Sequence, residues 1–105
     1  MNVIYHKQVV EYLNELVDTL YEQNYFGFID SAYDYVDWML DRIETDIALL
    51  PAKKAPDYFA KYGENLSYVS LKRNTNTIWY VFFNYESDLF HVRFISNNHV
   101  VARYL

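Results

Sequence analysis

IWYVFFNYESDLFHVRFISNN, residues 78–98, decides the fold. Two runs rich in β-branched and aromatic residues, 77–85 and 89–96, flank the turn-forming trio Glu86-Ser87-Asp88, and the stretch therefore predicts a β-hairpin. In the second run Phe90, Val92 and Phe94 alternate with His91 and Arg93, the period of a strand with one apolar and one polar face. Ile78 to Phe83 is apolar throughout, as in a central strand covered on both faces. It falls far short of the roughly 20 residues that cross a bilayer, so no membrane association is expected.

Upstream of the hairpin, Tyr68 to Arg73 is a third strand candidate, joined through Asn74-Thr75-Asn76. Val69 and Leu71 fall on one side and Tyr68, Ser70 and Lys72 on the other. Before it, Ala55 to Gly63 predicts one or two helical turns, with Pro56 near the first position and Gly63 closing. Ile29, Ala32, Val36, Met39, Ile43, Ile47 and Leu50 recur at three and four against Asp30, Asp34, Asp37, Asp41, Glu44 and Asp46, which predicts an amphipathic helix running to Pro51. An earlier helix over Lys7 to Gln23 has the same pattern, with Val9, Val10, Leu13, Leu16, Val17, Leu20 and Tyr21 opposite Glu11, Glu15, Asp18 and Glu22. Asn24 to Gly27 is too short a link for anything but an antiparallel helix pair. Asn2 to Tyr5 is β-prone and opens the chain as an edge strand. The expected fold is α+β: an N-terminal strand, an antiparallel helix hairpin, then a three- to four-stranded antiparallel meander, in one domain spanning 1–105. The C-terminal Val100 to Leu105 reads equally as a fourth strand, a partner-binding tail or part of the working face.

With 105 residues, 52% of them hydrophobic and 20% aromatic, the chain has apolar surface enough for one core. It has no cysteine, which rules out disulfides, thiolate metal sites and a cysteine nucleophile. With an N-terminus that does not read as a signal peptide, a cytoplasmic protein is expected. The net charge of −5 hides an asymmetry. Residues 1–50 hold ten carboxylates and two bases, and residues 51–105 four carboxylates and seven bases. Screening confines surface fields to about 8 Å at physiological salt, so a local cationic face is compatible with an acidic chain. If the helices cover one face of the sheet, the other is left open and lined by Tyr68, Lys72, His91, Arg93 and an aromatic of the middle strand.

Two glycines cannot supply a P-loop, a dinucleotide fingerprint or a nucleophile elbow. His6, His91 and His99 lack metal-ligand spacing, and no cofactor is expected. The helical carboxylates read as solvated faces. What remains is Lys53, Lys54, Lys61, Lys72, Arg73, Arg93, His99, Arg103 and Tyr104. Cleavage of RNA by 2′-hydroxyl attack needs a proton acceptor, a proton donor and fixed positive charge on the phosphorane. Lys or Arg, His and Tyr can supply all three.

The order strand, helix pair, lysines and strands, together with PAKKAPDYFAKYG (51–63) and FISNNHVVARYL (94–105), resembles the RelE/ParE toxin superfamily over nearly the whole chain. In RNA-cleaving members, bases after the helices, an arginine on the sheet and a tyrosine or histidine near the C-terminus form the site. By matching position the resemblance implies Lys53, Lys54, Arg73, Arg93, His99 and Tyr104 as catalytic residues, and Tyr68, Lys72, His91 and Arg103 stand beside them as substrate-binding candidates. It further implies the toxin of a type II toxin-antitoxin pair, cutting messenger RNA on the ribosome and held by an antitoxin from an adjacent gene. Members that poison gyrase share the fold without the nuclease residues, and an inactive protein-binding domain on the same scaffold is a third reading.

Each candidate has a plainer explanation. Lys53 and Lys54 fit a solvated turn favoured by a helix C-terminus, and His99 a turn after Asn97-Asn98. Arg93 and His91 fit exposed strand positions paired with Glu86 or Asp88. Tyr58, Phe59, Tyr62, Trp38 and Trp79 fit packing.

Overall fold

The computed structural model describes residues 2–22 and 29–105, and the expected link at Asn24 to Gly27 lies outside them. Strand β1 (Asn2–Tyr5) leads into helices α1 (Lys7–Glu22) and α2 (Ile29–Asp46). Then come the two-residue β2 (Lys53–Lys54), a 3₁₀ turn at Asp57–Tyr62, and strands β3 (Ser67–Lys72), β4 (Ile78–Glu86) and β5 (Leu89–Asn97). A short α3 (Asn98–Val101) and a 3₁₀ turn at Ala102–Tyr104 close the chain. The expected α+β layout is present. No helix among the described residues is long and apolar enough to cross a membrane.

The sheet has five strands in the order β1-β5-β4-β3-β2. The meander β3-β4-β5 is antiparallel, and its hairpin turns on Ser87 (φ 51°) and Asp88 (φ 62°). Two consecutive left-handed residues twist a two-residue turn to match its strands. Asn74 Oδ1 accepts the amides of Asn76 (2.9 Å) and Thr77 (2.9 Å), which fixes the other turn. Strand β1 lies parallel to β5, with Ile4 opposite His91 and Tyr5 opposite Val92.

Helices α1 and α2 pack on one sheet face. Val9, Leu13, Leu16, Val17, Ala32, Val36, Met39, Ile43 and Ile47 bury against Val69, Leu71, Trp79, Val81, Phe83, Phe90, Val92 and Ile95. The Trp79 indole N–H donates to the Tyr35 hydroxyl at 2.9 Å and ties α2 to the sheet.

Four expectations need correction. Helix α2 stops at Asp46 rather than running to Pro51. The chain leaves through turns in which the Asp46 carbonyl accepts the amides of Leu49 and Leu50. Lys53 and Lys54 form an edge strand, opposite Tyr68 and Ser67, rather than a free turn. The C-terminus is helical, with the Asn97 side chain accepting the His99 amide at its start. Most consequentially, the alternation in β5 breaks: Phe82 pairs with Phe94 but Phe83 with Val92, so Arg93 is an extra, bulged residue.

The bulge turns Phe94 away from the helices, and the face expected to be open carries a second core. Phe59, Leu66, Phe82 and Val101 are buried there, with Tyr62, Tyr68, Tyr80, Phe94 and Tyr104 packed around them. Phe59 stacks on Phe82 at 4.4 Å, and Tyr62 lies parallel to Phe94 at 3.7 Å. We expect Phe82→Ala to cost about 3–5 kcal/mol by denaturant unfolding, in the range for a buried phenylalanine. Val10→Ser, at a position 46% exposed on α1, should shift stability by less than about 0.5 kcal/mol.

Candidate functional site

The second core leaves the β5 end of this face uncovered. An open groove of about 650 Å³ lies there, lined by Asn65, Ser67, Asn84, Tyr85, Glu86, Leu89, His91 and Arg93. Its floor comes from strand parity: Asn84 lies opposite His91, and Leu89 opposite Glu86. The Asn84 side-chain N–H donates to the Glu64 carbonyl at 2.9 Å, so the chain entering β3 forms one wall.

His6 follows β1, where its amide donates to the Val92 carbonyl at 2.9 Å. Its ring stacks on His91 with centroids 6.1 Å apart. His6 Nδ1 accepts the Gln8 amide at 3.2 Å, which in the neutral ring leaves the proton on Nε2. Burial pushes the His91 pKa below the ordinary histidine value, and the neighbouring Arg93 and His6 push it the same way. Near neutral pH His91 is thus an uncharged base.

Arg93 owes its place to the bulge. Its Nε is buried without a hydrogen-bond partner, and among the described residues it makes no ion pair. The expected pairing with Glu86 or Asp88 does not form; Asp88 instead accepts the Tyr85 hydroxyl at 2.9 Å. Gly63 packs beside the guanidinium and, more tightly, against Leu66. A Cβ there would come within 3.6 Å of Arg93 Cζ and 3.2 Å of Leu66 Cδ2.

Of the residues singled out from sequence, only His91 and Arg93 share this groove. Arg73 lies on the helix side, 4.5 Å from the Tyr35 ring and 4.7 Å from the Trp38 ring. Lys53 and Lys54 are exposed on β2, at the far edge of the sheet from β1. Tyr68 and Lys72 follow the parity of the second face, Tyr68 beside Phe82 and Lys72 exposed at the end of β3. His99 is exposed in the first turn of α3. Arg103 and Tyr104 belong to a separate cluster: Arg103 donates to the Tyr104 hydroxyl at 2.6 Å, and Tyr104 stacks on Tyr58 at 3.7 Å.

Sequence reading passes over Asn65 and Asn84, weighs His6 only as a metal ligand, assigns Tyr58 to packing and leaves Lys61 among the remaining bases without a role. His6 shares the parity of Ile4, a signal that becomes useful only once β1 is known to lie beside β5. Tyr58 and Lys61 stand three apart in a 3₁₀ turn, where such side chains eclipse.

No protein-family model matches the chain, and neither a curated protein nor a solved structure shows significant similarity to it.

By NMR titration His91 should protonate below the pH of about 6.5 usual for histidine. Arg93→Gln removes one of the neighbouring charges and should raise that midpoint part of the way back. An unchanged midpoint would separate the two side chains.

Proposed function

We propose that this chain is a RelE/ParE-like toxin that cuts messenger RNA on the ribosome by 2′-hydroxyl attack, using the groove at His91 and Arg93. The observation that carries the reading is the neutral His91 beside the buried, unpaired Arg93. In this scheme His91 takes the 2′-hydroxyl proton, and the freed oxygen attacks the adjacent phosphorus. Arg93 stabilises the charge on the pentacovalent intermediate. The 5′-oxygen leaves with the proton that His91 has taken up, giving a 2′,3′-cyclic phosphate and a 5′-hydroxyl end and returning His91 to its neutral form. The layout of strand, helix pair and meander supports the family likeness, and an antitoxin from an adjacent gene would be the natural restraint.

The ribosome would supply much of the substrate alignment, which suits a groove this open. A second reading, a non-cleaving gyrase poison or an inert binding domain on the same scaffold, draws on a different observation. Lys53, Lys54, Arg73 and His99 do not gather around Arg93.

Expression without an antitoxin should arrest growth and leave codon-phased messenger ends. Arg93→Ala should relieve the arrest and slow cleavage by about 100-fold or more, as loss of one phosphorane-stabilising donor does. The acid limb of the cleavage rate should fall below pH about 6.5, because His91 must be unprotonated to act. Intact messages during arrest would reject the nuclease, and SOS induction with trapped DNA breaks would favour gyrase.

A further inference from the structure

Away from the groove, four side chains form one stack on the second face. Tyr58 and Tyr104 lie parallel, centroids 3.7 Å apart and planes within 3°. Lys61 Nζ sits 3.9 Å from the Tyr58 ring centroid and 5.6 Å from that of Tyr62. Arg103 Cζ sits 4.8 Å from the Tyr104 centroid while its Nη2 bonds the hydroxyl. Two cations therefore flank a pair of rings.

Neither cation has a carboxylate partner among the described residues; the ion pairs there, Lys7 with Glu11 and Arg42 with Asp46, are both on the helices. Fourteen carboxylates were available in the chain, yet these two bases rest on phenols. The Lys61 ammonium and then the Tyr104 hydroxyl draw the Tyr58 phenol below its usual pKa, the mark of a locally positive site. Stacking also holds long, exposed side chains in place before any ligand arrives, which reduces the entropy lost on binding.

The location is informative as well. The 3₁₀ turn that carries Tyr58 and Lys61 runs on to Tyr62, which stacks on Phe94, and to Gly63, which packs by Arg93. Lys61 stands two residues and Tyr58 five residues before Gly63, so one short element holds both the stack and the backbone beside Arg93. Rings interleaved with cations are what a single strand uses: phosphates take the charges, and bases or sugars meet the rings.

We propose that Lys61 and Arg103, held by Tyr58 and Tyr104, form a phosphodiester-binding site that anchors single-stranded RNA beside the His91–Arg93 groove. The ligand class rests on the nuclease reading, but binding is measured without cleavage. The probe is a fluorescent 2′-O-methyl oligoribonucleotide, which lacks the attacking hydroxyl, titrated by anisotropy over a range of salt.

The wild-type chain should bind it. The double variant Lys61→Gln/Arg103→Gln should bind at least tenfold more weakly, and its slope of log affinity against log salt should be shallower by about 1.4, the share of two phosphates. Lys61→Arg/Arg103→Lys, which keeps both charges, should restore the slope, an outcome that lost packing alone would not give. Absence of binding by the wild-type chain, or an unaltered slope in the Gln variant, overturns the proposal. So does saturable binding of inorganic phosphate without any binding of the oligonucleotide. A chain that binds the probe by this rule yet never cuts RNA leaves the anchor standing and removes the nuclease.

Discussion

Between Val92 and Phe94, strand β5 carries one residue more than β4 can match, and both faces of the sheet are arranged around that excess. Side chains alternate strictly along a strand, so a one-residue shift exchanges the faces of everything beyond it. Before the bulge, Phe90 and Val92 point to the helices; after it, Ile95 does, and Phe94 points away. Phe94 is thereby free to stack on Tyr62, which holds the 3₁₀ turn and Phe59 against the sheet. With an unbroken strand, Phe94 would compete for the helix-facing core, and the second core would lose one of its walls.

Two cores on one thin sheet also explain the separation of charge. The helices cover their face with apolar stripes and send their carboxylates outward, because a buried unpaired carboxylate would be far more costly. The cations of the later strands and turns, Arg73 apart, lie on or around the face opposite those carboxylates. They settle on rings instead: Lys61 by Tyr58, Arg103 by Tyr104. Arg73 follows the same rule on the other side, against Tyr35 and Trp38. A guanidinium or ammonium on a ring is stabilised without being neutralised, so its charge stays available to an anion.

Much of this was legible in sequence where the signal is local. Helical periodicity placed α1 and α2, and the Asn74 and Ser87-Asp88 turns placed the meander, because a few neighbouring residues decide each. Pairing over long distance was not legible. Nothing in Asn2–Tyr5 says that it will lie parallel to β5, so His6 was not placed beside His91. Nothing in HVRF marks Arg93 as extra: the residues alternate well, and only the competition of Phe82 and Tyr62 for Phe94 breaks the period. Phe59 reads as packing from its type alone, but that its packing closes the supposedly open face depends on how the 3₁₀ turn folds back.

The same bulge bears on why Arg93, among the bases, is the one to build a site on. Arg73 has two aromatic rings against it, and Lys53 and Lys54 are free in solvent on a two-residue strand. Arg93 alone combines a fixed backbone position, a buried donor without a partner and a groove in front of it. An unsatisfied buried donor costs about 1–3 kcal/mol, and more on a charged group, a cost carried here by the two cores that enforce the bulge. An anion entering the groove meets a guanidinium that has no internal acceptor to give up, so its attraction is not spent on breaking an existing bond. A paired arginine at the same point would bind the anion only by the difference between two similar interactions. The missing partner is therefore what makes the position useful, and the second core is what makes it sustainable.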